Sequence, residues 1–238
     1  MYKRQTYQTE EEAAKAPNDP NAQGRKKHAG DAIFEDVNND GQLDSKDMIF
    51  MGYVRPDKVG GIINTLKYKG LTVRIVMDWA MGHVIDNGFK GQIMGSSRNN
   101  NNAIKEAMTN SWQSANDGSK YPKYTVQSDY DYQYRNHMRW DNQIGSSASG
   151  STNNSLYFSK GDYLAFREVS LSYMLPLSWI RKMKLSAVEV FAGAYNIGYI
   201  KKYDGMFPEI YTGVDYGIYP RPRQYNICLL YTSPSPRD

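Results

Sequence analysis

The stretch Asp36-Val37-Asn38-Asn39-Asp40-Gly41-Gln42-Leu43-Asp44-Ser45-Lys46-Asp47 sets oxygen-bearing side chains at alternate positions, with a glycine sixth and a carboxylate twelfth. This fits the calcium-loop template D-x-[DN]-x-[DN]-G with an acidic closing residue. Calcium is a hard cation that takes about six to eight oxygens. Asp36, Asn38 and Asp40 would point inward. Gly41 permits the sharp turn that aims the Gln42 carbonyl at the ion. Asp44 would ligate directly or through water, and Asp47 would close the site. Asp47 is shorter than the glutamate usual at that position, so bidentate closure is weaker. Leu43 stands where such a loop anchors to a core. The expected cofactor is therefore a structural calcium ion, and the competing reading is a solvated Asn/Asp turn cluster. No general base or nucleophile stands nearby, so the loop implies no catalysis and the chain is read as a non-enzyme.

Both ends of the chain need separate treatment. Cys228 to Asp238 (CLLYTSPSPRD) and Met1 to Gln5 (MYKRQ) resemble translations of the two strands of a transposase adapter used in sequencing libraries. Residues 1–5 and 228–238 are accordingly expected to be adapter-derived and are set aside, as a fusion scar would be. The native sequence is read as 6–227. Setting the ends aside lowers the formal charge from +4 to +2, with 26 basic residues against 24 acidic ones. That balance gives no reason to expect a nucleic-acid partner. The one cysteine, Cys228, falls in the adapter segment, so neither a disulfide framework nor thiol catalysis is expected. No apolar run is long enough for a transmembrane helix. A mean hydropathy of -0.69 still accommodates a β-barrel, whose strands alternate apolar and polar residues.

The elements that must position the loop can be read from period and punctuation. Thr9 to Ala16 opens on a capping-box-like Thr9-Glu10-Glu11-Glu12 and predicts a short helix. Gly61 to Tyr68 predicts a strand, and Lys69-Gly70 a tight turn. Leu71 to Ala80 is the clearest strand, with Leu71, Val73, Ile75, Met77 and Trp79 on one face and Thr72, Arg74, Val76, Asp78 and Ala80 on the other. Met81 to Lys160 is long and polar, with an asparagine run at Asn99–Asn102 and a Gly/Ser run at Gly145–Ser151. Tyr163 to Leu175 alternates again, with Val169, Leu171, Tyr173 and Leu175 opposite Glu168, Ser170, Ser172 and Met174. A short connection to Lys184, holding one helical turn, leads to a strand at Leu185–Ile197 with Val188, Val190, Ala192 and Ala194 on its apolar face. Gly198 to Gly217 predicts a second long loop, and Ile218 to Ile227 a last strand. Connections that alternate short and long fit an up-and-down barrel wall better than a soluble β-sandwich. The expected fold class is all-β: a partial antiparallel transmembrane β-barrel wall of about five strands with long extracellular loops.

The order of landmarks resembles the SusC/RagA family of TonB-dependent outer-membrane transporters. The residues that carry the resemblance are Gly30-Asp31 followed by Asp36 to Gly41, then Gly52, Pro56, Gly60-Gly61 and Asn64-Thr65-Leu66-Lys67-Tyr68-Lys69-Gly70. They continue with Gly161 to Pro176 (Gly-Asp-Tyr-Leu-x-x-Arg-x-x-x-Leu-x-Tyr-x-Leu-Pro), Ala194 to Ile197, Phe207-Pro208-Glu209, and Tyr219-Pro220-Arg221-Pro222-Arg223. Ala29 replaces the usual proline before Gly-Asp, and Phe207 replaces the aspartate of Asp-Pro-Glu. The resemblance implies that 6–227 is the C-terminal part of a plugged barrel of about twenty-two strands, with the plug and the TonB-contacting segment outside this chain. It also implies a Gram-negative outer-membrane location, import of an oligomeric nutrient (glycan or peptide), a SusD-like surface lipoprotein as partner, and contact with lipid. It further places Lys69-Gly70 and Pro176 to Lys184 in the periplasm, and the 36–47 loop, Met81 to Lys160 and Gly198 to Gly217 outside the cell.

Other residues carry weaker signals. Trp112, Tyr121, Tyr124, Tyr130, Tyr132, Tyr134 and Trp140 are able to stack on sugar rings or to order the loop by packing. Arg135 and Arg139 fit a solvated surface or a partner contact. His28, His83 and His137 lack ligand spacing and read as surface residues. Arg74 and Asp78 would face a lumen, and Trp79 or the Tyr163–Phe166 stretch an interfacial aromatic girdle. The second function class is a secreted, calcium-stabilised β-rich binding module of dockerin-like type. The substrate-binding residues are not assigned.

Overall fold

The computed structural model describes residues 6–22, 24–95, 105–119, 121–124, 131, 135–136 and 155–233. Asn99–Asn102, Tyr130, Tyr132, Tyr134, His137, Arg139, Trp140 and Gly145–Ser151 lie outside the described residues. The strands in chain order are β1 (Lys58–Tyr68), β2 (Leu71–Met81), β3 (Val84–Asp86), β4 (Phe158–Lys160), β5 (Tyr163–Met174), β6 (Ala187–Lys201) and β7 (Gln224–Thr232). The helices are α1 (Glu10–Ala13), α2 (Gly88–Gly95), α3 (Lys105–Asn110) and α4 (Leu177–Ile180). No described helix is long and apolar enough to cross a membrane, which says nothing about strands.

The chain divides into two compact units. The second comprises Tyr53–Val84, Ser159–Tyr211 and Ile218–Asp238. It holds a five-stranded sheet in the order β1-β2-β5-β6-β7, antiparallel throughout. The pairing follows the alternation in the sequence. Leu71, Val73 and Ile75 of β2 lie opposite Tyr68, Leu66 and Asn64 of β1 on one side and Tyr173, Leu171 and Val169 of β5 on the other. The opposite face collects Thr72, Arg74, Asp78, Glu168, Ser170 and Ser172. Lys69 and Gly70 both have positive φ, 46° and 84°, as a two-residue turn matching the twist of its strands requires. A Cβ at Gly70 would stand 2.9 Å from the Met174 carbonyl, so glycine is needed there twice over.

One face of this sheet is apolar and uncovered. Ile62, Leu66, Tyr68, Leu171, Ile227, Leu229 and Tyr231 are all exposed on it. In water such an area would be a liability. The five strands are 9 to 15 residues long, enough for the roughly 9–11 residues that a tilted strand needs to cross a bilayer core.

The first unit comprises Met1–Gly52, Ile85–Phe158 and Thr212–Gly217. Its core is a cluster of Ala32, Ala107, Tyr121 and Tyr157, with Phe34, Ile93, Tyr124 and Leu156 packed against it. The predicted helix near the N-terminus is present as α1: the Thr9 hydroxyl accepts from Glu12 N (3.2 Å) and the Glu12 carboxylate from Gln8 N (2.8 Å).

Three expectations are corrected. The segment 81–160 is not a structureless loop, because α2, α3, Tyr121 and Tyr157 build a core with Ala32. That core draws single residues from distant segments, so it left no periodic trace. The last strand begins at Gln224 rather than Ile218 and continues to Thr232, pairing Cys228 with Phe191 and Thr232 with Ala187. Backbone pairing asks little of side chains, so the segment read as adapter-derived extends the ladder. Lastly, β6 runs on to Lys201, which shortens the second long loop.

Candidate functional site

The alternation in β5 changes phase. Leu164 and Phe166 share a face with Trp79 and Met77, and so do Val169 and Leu171 with Ile75 and Val73. An extra residue must therefore sit between Phe166 and Val169. The register shifts there in both ladders, between Val76 and Met77 on one side and between Phe166 and Glu168 on the other. A bulge bends the strand and re-aims a side chain. Here it turns Arg167 onto the polar face.

Arg167 meets two carboxylates. Its Nε and Nη2 both donate to Asp78, the latter at 2.8 Å to Oδ2. Its Nη2 also lies 2.6 Å from Glu209 Oε1. Nη1 donates to the Tyr199 hydroxyl at 3.2 Å, and that hydroxyl donates to Glu209 Oε1 at 2.6 Å. Arg221 Nη2 closes on Glu209 Oε2 at 3.0 Å. The Glu209 side chain is 1% exposed, so its charge is buried and held by two arginines. Burying a carboxylate is tolerated only when it is paired and hydrogen-bonded in this way.

The landmarks of the sequence converge here. Arg167 belongs to the Gly161–Pro176 motif, Glu209 to Phe207-Pro208-Glu209, and Arg221 to the Tyr219–Arg223 motif. Asn196, left-handed at φ 51°, donates to the Pro222 carbonyl at 3.3 Å. Asp162 accepts from Gly82 N at 2.8 Å and from Lys202 Nζ at 2.9 Å, and these bonds, the first above all, hold its carboxyl below the ordinary range. The segment after β6 thus lies on the polar face: Tyr199 packs edge-on against Tyr163 and against Phe207, both at 5.9 Å. Phe207, Pro208, Glu209 and Ile210 are buried. A cavity of about 420 Å³ remains beside it, walled by Arg55, Trp79, Tyr163, Glu209 and Tyr211 among others. Sequence reading missed Arg167 and Glu209. The usable signal was the phase slip itself, since Arg167 shares the parity of Val169 and Leu171.

Several weaker expectations are settled by this geometry. Asp78 and Arg74 do lie on the polar face, Arg74 with Glu168 at 3.4 Å. Tyr163 lies on that face as well, packed with Ala80 and Ala165, and is not outward-facing as a girdle residue would be. His83 is buried rather than on the surface, and burial lowers its pKa against the opposing pull of Asp162. His28 is exposed as expected.

In the first unit the polar knot centres on Asp31. Its side chain is 2% exposed. Oδ2 accepts from Arg135 Nε and from His28 N, both at 2.8 Å, and Oδ1 accepts from Asn136 Nδ2 at 2.8 Å. Asn136 Oδ1 in turn accepts from Ala32 N at 2.6 Å. Arg135 is therefore largely buried and is not the solvated surface residue the sequence implied. Lys27 is buried beside Asp19 (3.7 Å), and its pKa is pushed down to about 8, chiefly by that burial. Gly30, at φ 88°, puts its α-carbon where a Cβ would stand 2.5 Å from the Trp112 ring. Trp112 and Tyr121 thus order the unit from inside: Tyr121 is buried and donates to Glu106 Oε1 at 2.5 Å.

The 36–47 loop folds on itself through its own carboxylates. Asp36 accepts from Asp40 N (3.2 Å) and Gly41 N (2.8 Å), Asn38 Oδ1 from Asp40 N (3.0 Å), and Asp40 Oδ1 from Gln42 N (2.9 Å). Asp47 accepts from Val37 N (2.9 Å) and Asp44 N (2.8 Å), which ties the two ends of the loop together. The backbone bond from Gln42 is the main reason that Asp40 titrates below the ordinary carboxylate range. Asn39 and Gly41 take positive φ, and Leu43 is buried, with its N–H on the Asn18 carbonyl at 2.8 Å. Asp36, Asn38, Asp40, Asp44 and Asp47 each carry at least one side-chain oxygen able to ligate a hard cation. Two further observations describe this arrangement. The Lys46 ammonium stands 3.7 Å from Asp40 and 3.6 Å from Asp44. Among the described residues, no group of three or more His, Cys, Asp or Glu is gathered to hold a metal.

No family model matches the chain. TonB-dependent receptor P3 of Formosa agariphila is 24% identical over 212 residues, covering 84% of this chain and 19% of the receptor. TonB-dependent receptor P26 of the same organism is 23% identical over 215 residues, covering 85% of this chain and 20% of that receptor. The chain thus spans about a fifth of the length of the curated relatives it matches. Among solved structures, the RagAB peptide transporter aligns with a TM-score of 0.59 at 20% identity, over 85% of this chain and 21% of that one. The RagAB peptide importer in its open-open state gives 0.59 at 19% identity, over 83% and 20%. The fold is that of a stretch of this barrel, and the sequence resemblance read from the landmarks is met from both directions.

Proposed function

We propose that this chain is part of the barrel wall of a SusC/RagA-type TonB-dependent transporter in a Gram-negative outer membrane, importing oligomeric nutrients, peptide or glycan, without covalent chemistry. The observation that supports this most is the sheet with one apolar, uncovered face and one polar, charge-paired face, on strands of membrane-spanning length. Lipid is the solvent that makes such a face stable. A SusD-like surface lipoprotein would cover the loop side, and the TonB complex would engage a region outside this chain. Trp79, half-buried near the end of β2 on the apolar face, fits an interfacial girdle position.

The test is to express the full-length protein in a Gram-negative host. It should partition with the outer membrane and migrate faster unheated than boiled, as folded barrels do. Recovery from the soluble secreted fraction would overturn the reading. It would favour instead the calcium-stabilised binding module of dockerin-like type.

Calcium in the 36–47 loop remains part of the proposal, as a brace on an outward-facing loop. Asp36, Asn38, Asp40, the Gln42 carbonyl, Asp44 and Asp47 would supply the oxygens, with Lys46 swinging out. That ammonium is well exposed and moves at little cost. Terbium luminescence on the purified full-length protein should be competed by calcium. Asp40→Ala should abolish the signal, and Lys46→Ala should strengthen binding by roughly fivefold, since a competing charge is removed. A signal indifferent to both substitutions would remove the claim.

A further inference from the structure

Resting on that reading, which puts the Lys69-Gly70 turn and the 176–184 connection on the periplasmic side, we propose that these two turns together bind anionic phospholipid headgroups of the periplasm-facing leaflet. The turns are neighbours. Leu71 lies opposite Tyr173, and Met174 N donates to the Gly70 carbonyl at 2.9 Å. Between them they carry Lys69, Arg181, Lys182 and Lys184, all exposed. No acidic residue occurs in 66–73 or in 173–188. The next acid, Glu189, lies opposite Met174 and so shares the polar face with Ser170 and Ser172. The other end of the sheet is different. There Asp78 holds Arg167 and Asp162 holds Lys202, so cations meet carboxylates of the same chain.

Cations alone would describe a solvated turn. The apolar side chains beside them point to lipid. Tyr68 is exposed on the apolar face, and Lys69 Nζ stands 5.2 Å from the centre of its ring. One cation therefore already lies at the margin of the face that meets the acyl chains. The short helix α4 falls on the same side. Val188 shares its parity with Val190 on the apolar face, yet it is 3% exposed where Val190 is 39%. Ile180 of α4 is buried too, and α4 contacts β6, which sets the helix over that end of the apolar face. Leu177 and Trp179 of the same helix are left exposed, next to Arg181, Lys182 and Lys184. An indole at headgroup depth with cations among the phosphates is the composition of an interfacial anchor. Each cation near an anionic membrane surface raises affinity roughly fivefold, so four of them select charged headgroups over zwitterionic ones.

The experiment uses the full-length transporter in phosphatidylcholine nanodiscs, with folding checked by heat-modifiability. Ser178→Cys carries a fluorophore, read against the unsubstituted protein taken through the same labelling. The quencher is brominated phosphatidylglycerol or brominated phosphatidylcholine, each at the same minor fraction. Brominated phosphatidylglycerol should quench several-fold more. Arg181→Gln/Lys182→Gln/Lys184→Gln should make the two lipids quench alike. Lys58→Gln/Lys160→Gln/Lys201→Gln, the same charge change at the other end of the sheet, should leave the preference intact. If the first triple variant does not fold, Lys182→Gln/Lys184→Gln decides, and it should lower the preference by a smaller factor. Equal quenching by both lipids in the wild-type background would overturn the anionic site, and so would a preference that survives the variant or falls equally in the control. Quenching by neither lipid would overturn it as well and assign the turns to a periplasmic protein. Failure of the unmodified protein to reach the outer membrane would instead count against the transporter reading itself.

Discussion

Arg167→Ala is expected to lower stability by about 3–5 kcal/mol, the range for removing one partner from a buried pair. The cost arises from what is left behind. Among the described residues Glu209, with its side chain 1% exposed, keeps only Arg221 as a cationic partner, and the Arg221 side chain is 51% exposed. An exposed cation is screened by water and salt, so it compensates poorly for a charge held in a dry site. Asp78 loses its fork at the same time. Arg221→Ala, by the same reasoning, should cost less than about 1 kcal/mol. The measurement is the urea midpoint of the refolded full-length protein for both variants. Equal shifts would show that Arg167 is not the hub. Arg167→Lys should recover part of the loss, because an ammonium is able to satisfy one carboxylate but not to bridge two.

Asp31→Ala is expected to be as damaging, about 3–5 kcal/mol, and to act on the first unit. Asp31 accepts three hydrogen bonds while almost fully buried, from Arg135, His28 N and Asn136. Alanine would remove the one carboxylate that the Arg135 guanidinium and the His28 N–H share, and Asn136 would lose a contact that orients it toward Ala32 N. Asp31→Asn keeps the shape and removes the charge, so it should fall between wild type and alanine. Limited proteolysis resolves the effect: cleavage should accelerate within 6–52 and 85–124 while the sheet stays protected. Uniform protection in Asp31→Ala would sink the assignment of Asp31 as the organising acid.

How far these sites were legible in the sequence differs between them. The sheet was legible because Leu71, Val73, Ile75, Met77 and Trp79 face one solvent and Thr72, Arg74 and Asp78 another, and period two is a strong local signal. Strand order followed from the antiparallel connections. The first unit was not legible, because Ala32, Ala107, Tyr121 and Tyr157 are far apart in the chain and each is locally unremarkable. Asp31 was visible only as part of a landmark, since its partners Arg135 and Asn136 come from more than a hundred residues away. The aromatic residues were left between stacking on a sugar and packing within the loop for the same reason: exposure is a tertiary property, and Tyr121 is buried. Arg167 was hidden by an assumption of unbroken alternation. Its place in β5 contradicted the apolar parity of Val169 and Leu171, and that contradiction was the clue.

The bulge also makes chain length itself informative. In β5 the residues before Arg167 and those after it are read in two frames, as in a text with one silent letter. Deleting that letter would join the frames into one regular alternation, and the shorter strand would look more ideal on paper. With the later half held in register, Tyr163 and Ala165 would then turn onto the apolar face, and Leu164 and Phe166 onto the polar one. A substitution in this strand changes one side chain; a deletion of a single residue rewrites four.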